Sequence, residues 1–132
     1  MTNLDRVDHI GVAVHDADEA LAYYTDQLRL KPVGDEIAPD PGVRLVYLDA
    51  GNLLIQLVQP VREGPVAAFL RARGEGLHHV CFQVDRIEPV LQGLPGEAGA
   101  RIFGGGRDRR ACFLLSEPNG VRIELTEREP VT

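Results

Sequence analysis

The chain lacks any stretch long and apolar enough to cross a membrane as a helix. Its opening residues, Met1-Thr2-Asn3-Leu4-Asp5-Arg6-Val7-Asp8, carry charges where a signal peptide needs an apolar run. A cytoplasmic location is therefore expected. Positive charge is also in short supply. Lys and Arg number 14 against 20 Asp and Glu, and the net charge of -6 excludes the broad cationic surface that displaces counterions from nucleic acid. Cysteine is scarce too. Cys81 and Cys112 stand alone, each inside an apolar run, which excludes a disulfide framework or a zinc clip and predicts reduced, partly buried thiols. Nor is the composition that of a disordered chain, with 44% hydrophobic and 26% charged residues.

What is present is a chain of 132 residues, enough for one hydrophobic core and no second large domain. Its two halves read alike. From Val7 to Val14 apolar and other residues alternate, as a half-buried strand requires, with Ile10, Val12 and Val14 on one face and Val7, His9, Gly11 and Ala13 on the other. The second face surrounds a single imidazole with small side chains and leaves room for a ligand. Asp16 then caps a helical pattern bearing Ala20, Leu21, Tyr24 and Leu28 on one side, with Glu19 at the capping-box position. The second half repeats this from Leu77 to Val84, with His79, Cys81 and Gln83 on one face, followed by Asp85, Glu88 and the helical set Ile87, Leu91 and Leu94. Pro89 falls early enough in that helix for its missing N–H to matter little.

Three strands are predicted after each helix, near Lys31 to Ile37, Val43 to Asp49 and Asn52 to Val58, and near Gly99 to Phe103, Arg110 to Leu115 and Val121 to Thr126. The last strand of each set opens on a Gly/Asn pair, Gly51-Asn52 and Asn119-Gly120, a usual hairpin signal. The order βαβββ thus occurs twice, and an internal duplication accounts for it. The predicted organisation is one α+β domain over 1–132, with a first module at about 5–60, a connector at 61–76 containing a short helix from Val66 to Arg71, and a second module at about 77–127.

Each half also places one imidazole and one amide or carboxylate at nearly matching separations, His9 with Gln56 and His79 with Glu124. All four interrupt otherwise apolar strands, and burying an uncompensated polar group costs several kcal/mol, roughly 2–7 for a neutral one. If two equivalent sheets curl around a shared cavity, a divalent cation would satisfy two nitrogens and two oxygens at once. Cobalt, nickel, zinc, manganese and magnesium all suit such a set. His78 falls on the opposite strand face from His79, and His15, at a strand end, reads as a surface residue.

These motifs resemble the vicinal oxygen chelate superfamily from Asp8 to Glu127, and within it the methylmalonyl-CoA epimerases. The residues behind the likeness are Asp8-His9-Ile10-Gly11-Val12-Ala13-Val14, Ala17-Asp18-Glu19-Ala20-Leu21 with Tyr23-Tyr24, and Gln56-Leu57-Val58-Gln59-Pro60. The most specific are Gly64-Pro65-Val66-Ala67-Ala68-Phe69-Leu70 and Arg73-Gly74-Glu75-Gly76-Leu77-His78-His79-Val80. The resemblance implies paired βαβββ modules forming an open barrel around a metal, assembly as a homodimer, and the ligand set His9, Gln56, His79 and Glu124. It further implies an isomerase whose cation holds two substrate oxygens, one of them the carbonyl of an acyl-CoA thioester, while the α-proton leaves to give an enediolate. Glu124 is the candidate catalytic residue, as a ligand carboxylate that also accepts a proton.

Two features depart from the epimerase pattern. Some members carry a glutamate on the third strand of the first half, where matching Gly42-Val43-Arg44-Leu45 places Leu45, which cannot carry a proton; the second base is thus unidentified, with Tyr47, on the same strand face, a candidate. Glu117-Pro118-Asn119-Gly120 resembles the generic superfamily turn. The run Gly104-Gly105-Gly106-Arg107-Asp108-Arg109-Arg110 reads as a solvated hairpin loop, with a grip on coenzyme A phosphates as the alternative. Other functions open to the same fold are a glyoxalase I (lactoylglutathione lyase) and a non-catalytic binder that sequesters antibiotics. Extradiol ring cleavage fits less well, because Gln56 adds a fourth protein ligand to a two-histidine, one-carboxylate face.

Overall fold

The computed structural model describes residues 4–129. They form two compact units, one of residues 9–78 and one of residues 4–8 together with 79–129. β1 (Leu4–Ala13) contributes to the first unit from His9 onward, and is followed there by α1 (Ala17–Ala22), β2 (Lys31–Ala38), β3 (Val43–Asp49), β4 (Leu54–Pro60) and α2 (Pro65–Arg73). Its strands lie in the order β2-β3-β4-β1, antiparallel except for the parallel β1–β4 pair. The second unit contains most of β5 (Gly76–Val84), then α3 (Ile87–Gln92), β6 (Ile102–Gly104), β7 (Arg110–Phe113) and β8 (Ile123–Glu127), in the order β5-β8-β7-β6. Here too the pair of first and last strands is parallel. The predicted α+β architecture, βαβββ in tandem, is what the chain adopts.

Alternation decides what each sheet face does. On one face of the first sheet, α1 and the segment after it press Ala20, Leu21, Tyr24 and Leu30 onto Val14, Val46, Leu48 and Leu57. On the other face, α2 lays Val66, Phe69 and Leu70 over Ala13, Val43, Leu45, Tyr47 and Val58. α3 repeats the role of α1 in the second unit, with Ile87, Val90 and Leu91 against Val84, Cys112 and Leu125. Each fully buried aliphatic side chain of these layers contributes about 1.5–3 kcal/mol.

Three expectations are corrected. Leu28 does not share the buried side of α1 but is 48% exposed. The helix widens after Ala22 into a π-turn over Tyr23–Gln27, the Leu28 N–H reaching the Tyr23 carbonyl five residues back at 3.3 Å, so the next apolar residue to face the core is Leu30. Asp85 and Glu88 do not repeat the first cap. At α1 the Asp16 carboxylate accepts from the N–H groups of Asp18 and Glu19, whereas α3 starts from Arg86 with no side-chain cap, and the Ile87 N–H donates instead to Glu127 of β8 at 3.0 Å. β6 also starts later than predicted, at Ile102 and not near Gly99, because Ala100 closes a turn onto the Glu97 carbonyl.

Candidate functional site

In the first unit β1 and β4 carry the two predicted donors, and both are buried: His9 is 3% exposed and Gln56 5%. Register sets their surroundings. Gln56 stands opposite Gly11 on β1 and Tyr47 on β3, and Tyr47 stands opposite Gly34 on β2, so one row across the sheet reads glycine, tyrosine, glutamine, glycine. The Tyr47 ring lies against Gly34, where a Cβ would come within 3.1 Å of it. The Gln56 amide donates through Nε2 to the Tyr47 hydroxyl at 3.3 Å. The Tyr47 ring meets the His9 imidazole edge to face, centroids 6.4 Å apart at 88°. The adjacent row is Glu36, Leu45, Val58 and Ala13. Leu45 belongs to the apolar layer beneath α2, while Glu36, on the edge strand, is half-buried.

The second unit repeats the arrangement with a carboxylate in place of the amide. His79 and Glu124 are both buried, and His79 Nε2 lies 3.2 Å from Glu124 Oε1. Phe113 is the cross-strand partner of Glu124, as Tyr47 is of Gln56, and its ring meets His79 edge to face at 5.5 Å and 88°. The donors fit a cation. Two ligands about 2.1 Å from one ion, at tetrahedral or octahedral angles, stand roughly 3 Å apart, which is the His79 to Glu124 separation.

Cys81 is the parallel partner of Glu124 and has no exposed surface. Burial, then the negative charges of Glu124 and Asp8, push its thiol well above the ordinary range. Burial likewise pushes Cys112 up to about 11. Both cysteines are buried and unbridged, as predicted. His78 lies on the other strand face with its ring 4.8 Å from Phe69, and His15 is exposed. A cavity of about 330 Å³ under α3 is lined by Phe82, Val90, Leu94, Ile123 and Leu125, the last two flanking Glu124 on the opposite face of β8. It is therefore separate from the donors.

Sequence reading missed Asp8. Its carboxylate is fully buried and is met by the guanidinium of Arg107 and, at 3.6 Å, by that of Arg109. The solvated-loop reading of residues 104–110 is thereby corrected for Arg107 and Arg109, while Gly104, Asp108 and Arg110 are exposed. Arg107 and Arg109 keep only 22% and 14% of their side chains exposed, and Arg110 pairs with Glu88 and Glu127. A buried anion requires nearby cations, and the loop supplies them through consecutive left-handed residues, Arg107 at φ 59 and Asp108 at φ 56. The available signal was a carboxylate on the strand face that Ile10, Val12 and Val14 make apolar.

No helix among the described residues is long and apolar enough to cross a membrane. Residues 8–113 match the family described as Glyoxalase/Bleomycin resistance protein/Dioxygenase superfamily. An ethylmalonyl-CoA/methylmalonyl-CoA epimerase of Cereibacter sphaeroides is 34% identical over 94% of this chain and 98% of its own length. Among solved structures, a methylmalonyl-CoA epimerase from Mycobacterium tuberculosis superposes with a TM-score of 0.87 at 31% identity, covering 98% of this chain and 92% of that one. A methylmalonyl-CoA epimerase in complex with methylmalonyl-CoA and NH4+ superposes with a TM-score of 0.84 at 30% identity, covering 98% of both chains.

Proposed function

We propose that this chain, which belongs to the glyoxalase/bleomycin resistance protein/dioxygenase superfamily, is a metal-dependent isomerase of the methylmalonyl-CoA epimerase kind, moving a proton α to a thioester carbonyl. The observation that carries the reading is the repeated burial of an imidazole with an oxygen donor, His9 with Gln56 and His79 with Glu124, in a chain alike over nearly its full length to epimerases. We assign all four as ligands of one divalent cation, drawn from cobalt, nickel, zinc, manganese and magnesium. A cation held there supplies Lewis acidity, keeping negative charge on the thioester oxygen as the α-hydrogen leaves as a proton.

The side chains around it have separate tasks. Glu124 accepts the proton on one face of the planar carbon. Its burial keeps water from competing for that proton and strengthens every charge interaction at the site. Leu45 brings no carboxylate to the other face. We assign that task to its cross-strand partner Glu36, which shares its side of the sheet. The substrate class is an acyl-CoA thioester, the assembly a homodimer, and the location the cytoplasm.

The test is to measure metal content and then to incubate the metal-loaded protein with methylmalonyl-CoA in deuterated water. Stoichiometric metal and exchange of the α-hydrogen well above the rate without enzyme are expected. Metal without exchange would remove the epimerase reading, and a protein that neither carries metal nor gains thermal stability when it is added would remove the metal centre as well.

A further inference from the structure

The two halves share a ring position beside the donor pair, but only one of the rings carries a hydroxyl. Tyr47 faces Gln56 across β3–β4, and Phe113 faces Glu124 across β7–β8. Each ring also meets the imidazole of its own half at 88°. The rings therefore serve the histidines alike, and the hydroxyl stands only where the second donor is an amide.

The chemistry of the two donors explains that difference. A carboxylate presents two equivalent oxygens, so either end can hold a cation. An amide presents one oxygen and an NH2 group with two donors and no lone pair to offer, so it binds a cation only when its oxygen points the right way. In that orientation the NH2 points elsewhere and, being buried, needs an acceptor. Gln56 is 5% exposed and Tyr47 2%, and Gln56 Nε2 donates to the Tyr47 hydroxyl at 3.3 Å.

We infer that Tyr47 is a positioning residue for Gln56: its hydroxyl receives the amide NH2 and so presents Oε1 as the ligand atom. This rests on the metal site proposed above. Phe113 needs no hydroxyl because Glu124 has no wrong end.

Cobalt titration of the metal-free protein, followed by its visible absorption, tests this without reference to turnover. Tyr47→Phe keeps the ring against His9 and removes only the acceptor, and weakens cobalt binding by about 10- to 100-fold, the range for partners that orient metal ligands. In a Gln56→Ala background the same change has no further effect, because the amide it orients is gone. Equal cobalt affinity for Tyr47→Phe and the parent protein would overturn the inference while leaving the metal site standing. An equal loss in both backgrounds would also overturn it, since Tyr47 would then act through His9 or the fold. Failure of the parent protein to bind cobalt would instead remove the metal site itself. If Tyr47→Phe does not fold, hydrogen exchange in the zinc-loaded parent decides: one side-chain NH2, assigned by its loss in Gln56→Ala, exchanges slowly, and rapid exchange of that group would overturn the inference.

Discussion

Removing the charge of Asp8 by Asp8→Asn keeps the size of the side chain and takes from the guanidinium groups of Arg107 and Arg109 a fully buried carboxylate that both approach. Asp8 has no exposed side-chain surface, while the arginines retain 22% and 14%. Breaking a buried ion pair by deleting one partner costs about 3–5 kcal/mol, and the arginines' partial access to water favours the lower end, about 3 kcal/mol. The left-handed backbone at Arg107 and Asp108 loses its anchor as well. At about 1.5–2 kcal/mol/M for urea, that loss lowers the unfolding midpoint by roughly 1.5–2 M. It lowers the melting temperature by about 10 °C. Asp5→Asn provides the contrast, because Asp5 pairs with Arg128 at partly exposed positions, 27% and 48%, where an ion pair contributes less than about 1 kcal/mol. Urea unfolding of both variants, followed by far-ultraviolet circular dichroism, measures the difference. A loss below about 0.5 kcal/mol for Asp8→Asn would refute the reasoning, because the Arg107–Asp8 pair would then behave as a surface contact.

Glu97 is buried and accepts from the Leu115 N–H at 2.6 Å and from the Ser116 N–H and hydroxyl at 3.2 and 2.7 Å. Burial alone would raise its carboxyl, but these hydrogen bonds together outweigh burial and hold it below the usual range. Its contribution is therefore present above the ordinary carboxylate pKa and lost as pH falls through the lowered one, so the melting temperatures of parent and Glu97→Gln differ most near pH 7 and approach each other on acidification. A difference that is constant with pH would show that the charge of Glu97 is not what stabilises. Glu36→Gln should slow α-hydrogen exchange from one methylmalonyl-CoA epimer by about 10²- to 10⁴-fold, the usual contribution of a positioned base, with metal content unchanged. Exchange followed by NMR from each epimer separately checks this, and equal rates for both in the variant would remove Glu36 from the reaction.

The legible parts of the molecule are those written in local periodicity. β3 begins and ends where its alternation does, at Val43 and Asp49, and the turn at Asn119 and Gly120 has the positive φ angles that its residue pair predicts. The burial of His9, Gln56, His79 and Glu124 was legible because duplication states each pair twice. What escaped depends on partners distant in sequence. The N–H of Ile87 is satisfied from β8, and no spacing rule near Asp85 announces a carboxylate 40 residues away. Asp8 and Arg107 are 99 residues apart, and composition alone made the arginine loop look like solvent-facing structure. Leu28 was lost to a single π-turn, which shifts helical phase by one residue without any mark in the hydrophobic pattern.

The division of β1 at Asp8 bears on how the protein can be taken apart. A fragment beginning at Leu77 has the full second repeat, yet it leaves behind Asp8, the counter-ion of Arg107 and Arg109, and Asp5, which bonds Arg128 and Gln83. Separate expression of the repeats would thus yield a carboxy-terminal piece whose arginines have lost their links to Asp8 and Asp5. Adding a peptide of residues 1–8 in trans, or fusing it ahead of Leu77, is the route by which that piece regains its salt links.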